Sequence, residues 1–558
     1  MTDFPTAENS TVAAAAAALF KDKRVLLIDD QRSFQVMMKA TLMNIGLNRV
    51  TLLTSAEEGR RRCQKEQFDI YLIDYNLGMG ENGRQLLNHL RENKLLPADA
   101  TVFVISGDNS RSMVLSALES EPDDYLMKPF SQEQLRQRLQ RALLRKQELK
   151  EVFVALANDD PAEVIKSCEQ VLGNGTRFGN YCRCLMADMH MKMGDAAEAR
   201  HILRSGLAAG ESSWLRLGLG KACQMLGLHE EAITHLNAAL QLRPLMVEAY
   251  RWLAISQLAT GSGTEAIETL TRATEISPQS GILHRQLAEI SLAQGDYRKA
   301  RESLATMIEL NRFATERNPQ LIGSYVHCLI LHAMNSDDPF HIGNLQKQVN
   351  SALYRCRQAL LETDFDYNSF EQICQARVQM ARGDLIRGKR MLYKAGHNYG
   401  DEPSQMATPL LSGMVLALMQ LGDFEYAEQL QPLLCEQGAM DPLLQQCIQS
   451  VHNDHSQQER HQKYLELNEQ GISAYTAGRY EEALGFFRDA LRKAPANTSA
   501  ALNKAQALLQ IIKDRKKPGE LIDECKITLA LLDGVLLNAA QQERLKKLQE
   551  DLHKQKIR

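Results

Sequence analysis

The sequence predicts an α/β domain with a doubly wound, five-stranded parallel sheet at its N-terminal end, followed by an all-α helical solenoid. Short apolar runs alternate with helical patterns up to about residue 150, as parallel sheets require. Those runs stop on residues that carry chemistry: Asp29-Asp30, Asp74, Ser106 and Lys128. Further on, strand patterns cease and small residues return at a fixed interval.

The strands are expected at Lys23–Asp29, Val50–Leu53, Asp69–Asp74, Thr101–Ser106 and Asp124–Lys128. Helical spacing separates them at Ser33–Ile45, Ala56–Gln67, Gly83–Asn93 and Arg111–Glu119, with Ser131–Leu144 after the last. Ligands of open parallel sheets bind beyond the carboxyl ends of the strands. The topology therefore gathers Asp29, Asp30, Asp74, Ser106 and Lys128 at one edge. Three carboxylates there repel one another unless a hard divalent cation sits among them, and Mg²⁺ prefers such oxygen donors. Asp74 can act as a nucleophile on phosphorus. Lys128 and the metal would neutralise the transferring group, and Ser106 can hydrogen-bond its oxygens.

Residues 22–144 resemble the receiver domain of two-component response regulators, a CheY-like, flavodoxin-like fold. The residues that carry the resemblance are Asp29, Asp30, Asp74, Ser106, Tyr125 and Lys128-Pro129. The resemblance implies that Asp74 is the phosphoacceptor. It also implies that Mg²⁺ is held by Asp30, Asp74 and the backbone carbonyl of Asn76. Ser106 and Tyr125 would relay the switch, the Lys128-Pro129 bond would be cis, and the donor would be a histidine kinase or phosphotransfer protein. The loop after Asp74 departs from the family pattern by lacking the usual proline and running about one residue long. Each feature alone has a plainer account, since a strand-ending Asp is commonly a turn residue and Lys-Pro a plain loop. Their order, each at a strand end, favours the site.

The formal net charge of −4 excludes wholesale attraction to nucleic acid or to a membrane surface. The apolar run Val12–Phe20 is too short to span a bilayer, and Asp3 and Glu8 ahead of it argue against a secretory signal. The eleven cysteines include no Cys-x-x-Cys, so reduced thiols in a cytoplasmic protein are expected. No phosphate-binding glycine loop, His-Glu-x-x-His or nucleophile elbow is present, and no DNA-reading helix-turn-helix follows residue 144. The chain is expected not to be an enzyme beyond slow loss of its own phosphoryl group.

The exit helix carries Arg136, Arg138, Arg141, Arg145, Lys146 and Lys150, most simply a solvated basic face. Ala199, Ala232, Ala266 and Ala300 then stand 33, 34 and 34 residues apart. Gly194, Gly227, Gly261 and Gly295 precede them at constant offset, and Leu203, Leu236, Leu270 and Leu304 follow. A second set at Gly471, Gly478, Ala483, Phe487, Ala490 and Pro495 keeps the same offsets. This pattern resembles tetratricopeptide repeats, in which Ala sits where paired helices touch.

The expected domains are a flexible Ala-rich tail (1–21), the receiver (22–144), and a basic linker helix with a degenerate unit (145–179). Repeats follow (180–312), then an irregular helical region (313–458), then a C-terminal repeat with terminal helices (459–558). Loops are expected at Asn335–Phe340 and His452–Gln458. Family resemblance implies a groove that binds a protein or peptide, and it also admits a homodimer. Groove candidates are Tyr181, Arg183, Arg216, Arg251, His284 and Arg285. The expected function is a response regulator whose phosphorylation at Asp74 gates binding by the solenoid. The alternative is a constitutive scaffold with an idle receiver. A hydrolase hidden in 311–455 has no motif in its favour.

Overall fold

The computed structural model describes residues 19–557, apart from 79–80, 108–121, 311–317, 362–363, 400–401, 439–440, 453–454, 515–518, 533–536 and 538. It divides into two compact units, Met1–Gln286 and Leu287–Arg558.

The first unit opens with β1 (Arg24–Ile28), α1 (Arg32–Asn44), β2 (Arg49–Leu53), α2 (Ala56–Cys63), β3 (Ile70–Asp74), α3 (Gly83–Glu92), β4 (Thr101–Ser106), β5 (Asp124–Met127) and α4 (Gln132–Glu148). The strands form one parallel sheet in the order β2-β1-β3-β4-β5. Every residue of β3 and β4 is buried, because helices cover both faces of a parallel sheet. The period of two sorts their side chains into two cores. Val25, Leu27, Ile70, Leu72, Phe103 and Ile105 join one, and Leu26, Ile28, Tyr71, Ile73, Val102 and Val104 the other.

Reciprocal caps fix two helix starts: Asn82 with Gln85 opens α3, and Ser131 with Gln134 opens α4. α2 ends at Cys63, short of the expected Gln67, because the chain must turn to lay Phe68 in the core and bind Asp69 to the Arg24 amide. The Ala-rich tail up to residue 18 and the helix expected at Arg111–Glu119 lie outside the described residues.

The exit helix α4 runs past Leu144, and the stretch behind it is a helix pair, α5 (Lys150–Ala157) and α6 (Pro161–Gly173). Four further pairs follow: α7 (Gly179–Lys192) with α8 (Ala196–Ala208), α9 (Ser213–Met225) with α10 (His229–Leu242), α11 (Val247–Ala259) with α12 (Gly263–Ile276), and α13 (Gly281–Ala293) with α14 (Tyr297–Leu310). The phased alanines and leucines are fully buried between the helices of each pair. The approach is close: a Cβ on Gly220 would stand 2.4 Å from Leu236. Gly194, Gly227, Gly261 and Gly295 turn each pair with φ of 86°, 74°, 81° and 78°, where only glycine sits without strain.

The second unit is also built from packed helices. Its irregular part includes a 23-residue helix, Pro339–Leu361, which breaks the repeat pitch. Helix pairs persist nonetheless, with Gly383 and Gly422 turning two of them at φ 92° and 78°. Neither expected loop has the expected extent. Helix resumes at Pro339, because Pro is favoured in a first helical turn and Asp338 caps the Phe340 amide, and it resumes at His455, residues 453–454 of that second loop lying outside the described residues.

A buried polar network joins the helix Leu385–His397 to the helices Phe424–Glu436 and Thr498–Asp514. Lys389 Nζ contacts the Ala496 carbonyl and lies 3.1 Å from Thr498 Oγ1 and 3.7 Å from Asp423. Tyr393 and Thr498 hydroxyls donate to Asp423 at 2.8 and 2.9 Å. No described helix is long and apolar enough to cross a membrane.

Candidate functional site: an acidic pocket at the sheet edge

β1 and β3 stop side by side, which brings Asp29 and Asp74 together with Asp30. One oxygen from each of the three lies within 4.8 Å of the others. Asp29 is fully buried, Asp74 is 5 % exposed, and Asp30 is exposed. Gln35 on α1 ties the strand ends, donating to the carbonyls of Asp29 at 2.6 Å and Leu53 at 2.7 Å. Lys128 reaches in from the end of β5. Its Nζ lies 2.7 Å from Asp29 Oδ2 and 2.9 Å from Asp74 Oδ1, with the Phe34 ring 3.8 Å beneath. The Lys128-Pro129 peptide is cis.

Burial pushes the Asp74 carboxyl up to about 6, and the charges of Asp29 and Asp30 add to this against the opposing pull of Lys128. One cation therefore does not neutralise this edge. Buried carboxylates with unmet charge fit a hard divalent cation, and Asp29, Asp30 and Asp74 are the side chains placed to hold one. A raised folded pKa costs stability as pH climbs from about 4 to about 6. Asp74→Asn is therefore expected to stabilise the metal-free protein at pH 7 by on the order of 2 kcal/mol. The same variant should lose most of the melting-temperature rise that Mg²⁺ gives the parent, both read by calorimetry.

The backbone fixes Asp74 from both sides. The Tyr75 amide donates to the Ile105 carbonyl at 2.7 Å, and the Gly83 amide donates to the Tyr75 carbonyl at 2.8 Å. A Cβ on Gly83 would stand 2.0 Å from the Asp74 carbonyl oxygen. Ser106 is buried at the end of β4, where its carbonyl accepts from the Lys128 amide at 2.7 Å. Tyr125 is half-buried against the core that holds Tyr71, Ile73 and Val104, and Asn76 is exposed in the loop beyond Asp74.

The groove candidates separate. Tyr181 lies 6.4 Å from the Phe153 ring of α5. Arg183 packs beside Gly179 and Gly206. Arg216 is committed to Glu211 and His235, and Arg251 to Gln286 at 3.3 Å. Arg285 is half-buried and has interaction partners of its own. His284 is buried, with Nε2 2.9 Å from the Pro278 carbonyl, so its ring is withdrawn from any groove surface. A ladder not expected from the sequence joins three successive repeats: Lys221 lies 2.5 Å from Glu248 and 3.8 Å from Asp188. Asp188 and Lys221 stand one repeat apart, the signal that could have revealed them.

Two other clusters carry chemistry-bearing groups. Cys223, Glu231 and His235 lie at metal-ligand spacing, but Arg200 and Arg204 hold Glu231 at 2.6 Å and Arg216 lies 3.0 Å from His235. Three guanidiniums oppose a cation there. In the irregular region the buried Arg377 donates to His327 Nδ1 at 2.6 Å, which puts the ring proton on Nε2. Nε2 faces Ser450 Oγ at 3.0 Å, and that hydroxyl donates to the Cys447 carbonyl at 2.7 Å. This histidine has no free nitrogen to accept the serine proton, so the arrangement is not a hydrolase dyad.

Comparisons with known proteins identify two families along the chain. Residues 25–140 match the response regulator receiver domain, and 184–245, 217–281, 257–316 and 468–511 match tetratricopeptide repeats. The chain is 27 % identical to chemotaxis protein CheY-3 of Vibrio cholerae over 126 residues, 22 % of this chain and 93 % of that protein. It is 25 % identical over 139 residues to the alkaline phosphatase synthesis transcriptional regulatory protein PhoP of Bacillus subtilis, covering 25 % of this chain and 55 % of PhoP. The chain thus spans only about half the length of that relative. A CheY-like receiver structure from Methanospirillum hungatei aligns at 24 % identity with a TM-score of 0.21, over 23 % of this chain and 97 % of its own. The chain carries a response-regulator receiver domain followed by tetratricopeptide repeats.

Proposed function

We propose that the chain is a phosphorylation-gated adaptor: Asp74 accepts a phosphoryl group from a histidine kinase or phosphotransfer protein, and its state sets what the repeats bind. The observation that carries this reading is Lys128 Nζ lying within 2.9 Å of both Asp29 and Asp74, beside an acid pocket whose charge one lysine leaves unmet. A carboxylate oxygen of Asp74 attacks phosphorus as the bond to the donor breaks, and Lys128 offsets charge on the equatorial oxygens. Mg²⁺, held by Asp29, Asp30, Asp74 and the Asn76 carbonyl, would supply the remaining neutralisation. Ser106 at the end of β4 would hydrogen-bond the new phosphoryl group, and Tyr125 would follow it inward as the switch.

The receiver is assigned to 22–144 and the linking unit to 145–179. The repeats occupy 180–312 and 459–558, with the irregular helices of 313–458 between them. Cytoplasmic placement and binding without further catalysis belong to the same proposal.

Phosphoryl uptake from a labelled small acyl phosphate tests the first half. The parent should label only with Mg²⁺ present, and Asp74→Asn should not label. Pull-downs from native lysate test the second half, with beryllium fluoride and Mg²⁺ on the parent chain beside Asp74→Ala. A partner that differs between the two supports gating. Identical partners would leave the alternative, a constitutive scaffold.

A further inference from the structure

The loop that leaves Asp74 touches the repeats. Tyr75 follows the phosphoacceptor directly, and its side chain is 2 % exposed although it lies beyond the sheet edge. Its hydroxyl faces Gln279 Oε1 at 3.4 Å, across 204 residues of sequence. Gln279 sits in the break between α12 and α13, where the third repeat passes to the fourth, flanked by the buried Ser277 and Ser280.

The opposite edge of the sheet is anchored to the same run of repeats. Asp123, just ahead of β5, takes Arg145 at 2.5 Å and Lys146 at 3.4 Å from the exit helix. Lys146 lies 4.0 Å over the Phe153 ring of α5, which in turn faces Tyr181 of the first repeat. Asp159, in the turn between α5 and α6, binds Lys192 of α7 at 2.5 Å. The repeats are thus fixed to the receiver at one edge of its sheet and meet it again at the edge that bears Asp74.

We infer that the junction between the third and fourth repeats is a docking partner for the receiver's own Asp74 loop, held through Tyr75 and Gln279 while the site carries no phosphoryl group and released when it does. The inference rests on Asp74 being the phosphoacceptor. The coupling has a physical route. Tyr75 stands between Asp74 and Asn76, so the side chain that accepts the phosphoryl group, the backbone assigned to the metal and the contact with Gln279 belong to three consecutive residues. Ordering that loop around a loaded site changes the Tyr75 position, and a long hydrogen bond weakens steeply with further displacement. The freed junction would then alter the alignment of the third repeat against the fourth, where Arg251 of α11 and Gln286 of α13 now bridge at 3.3 Å. Coupling of this kind is reciprocal: loosening the junction must tighten binding at the pocket by the same factor.

Hydrogen exchange on the full chain tests this, with and without Mg²⁺ and beryllium fluoride. Peptides covering 74–78 report loading, and peptides covering 277–286 report the junction. In the parent, loading should protect 74–78 and raise exchange in 277–286 several-fold. In Tyr75→Phe, which keeps the ring and loses only the hydroxyl, and in Gln279→Ala, which removes the partner amide, 277–286 should exchange fast in both states. Beryllium fluoride should bind both variants about threefold more tightly than the parent, read by titration. Protection of 74–78 with unchanged or slower exchange in 277–286 overturns the inference and leaves the proposed function standing. Unaltered affinity in both variants overturns it as well. If 74–78 gains no protection, the phosphoacceptor reading itself falls, and this coupling with it.

Discussion

Gly83→Ala is expected to cut the rate of phosphoryl uptake at Asp74 by on the order of 100-fold, because misplacing a reacting group by about 1 Å costs that much. The added Cβ would stand 2.0 Å from the Asp74 carbonyl oxygen and 3.0 Å from both its carbonyl carbon and Ile73 Cγ2. Two of those atoms are backbone of the strand that presents Asp74, so no side-chain rotation relieves the clash. Either α3 withdraws or the end of β3 shifts. Withdrawal would break the hydrogen bond from the Gly83 amide to the Tyr75 carbonyl and disturb the Asn82–Gln85 cap. Overpacking of this kind costs about 3 kcal/mol. Thermal unfolding should record that loss, and labelled phosphoryl uptake should record the rate. A variant that labels at the parent's rate would show that Asp74 is not positioned from this side.

Lys389→Met is expected to destabilise the second unit by about 3–5 kcal/mol, since it strands the buried Asp423 without its cation. Burial holds the Lys389 ammonium below the usual lysine range, opposed by the attraction of Asp423. Tyr393 and Thr498 still donate to Asp423 in the variant, but hydroxyls do not cancel a charge. The Ala496 carbonyl also loses its donor. The double substitution Lys389→Met with Asp423→Leu removes both charges and should recover about 2 kcal/mol or more of the loss. Urea unfolding of the three proteins checks this. A single-variant loss below about 1 kcal/mol would mean that the pair is not held as an ion pair.

The acidic pocket was legible in the sequence because its members are strand ends, and the place where an apolar run stops is a local property. Lys128 and Asp29 are 99 residues apart, yet one parallel sheet delivers both to the same edge. The contact between Tyr75 and Gln279 was not legible, since neither residue type marks a position and only the path of the repeats brings them together. Helix ends were missed where the pattern permitted continuation: nothing in Gln64–Gln67 stops a helix, but the core's demand for Phe68 does. In the irregular region the 34-residue pitch is lost, so Arg377 and His327, on helices 50 residues apart, formed no pattern to read. His284 stands on a first helix, where groove residues are expected, and that place does not reveal that the ring folds back on Pro278.

The left-handed glycines have a consequence for how such a chain can be lengthened or shortened. Gly194, Gly227, Gly261, Gly295, Gly383, Gly422 and Gly478 all lie between φ 74° and 92°, whether their surroundings keep the pitch or not. Except at Gly422, whose carbonyl accepts from Asn497 Nδ2 at 3.2 Å, nothing stands within 4 Å of where a side chain would project from these glycines. At those open joints a whole helix pair is expected to splice in or out with little change to the turn itself, much as a link is added to a chain. The joints at Gly383 and Gly422 show that the geometry outlasts the spacing that would announce it: the hinge is what endures when the alphabet around it has drifted.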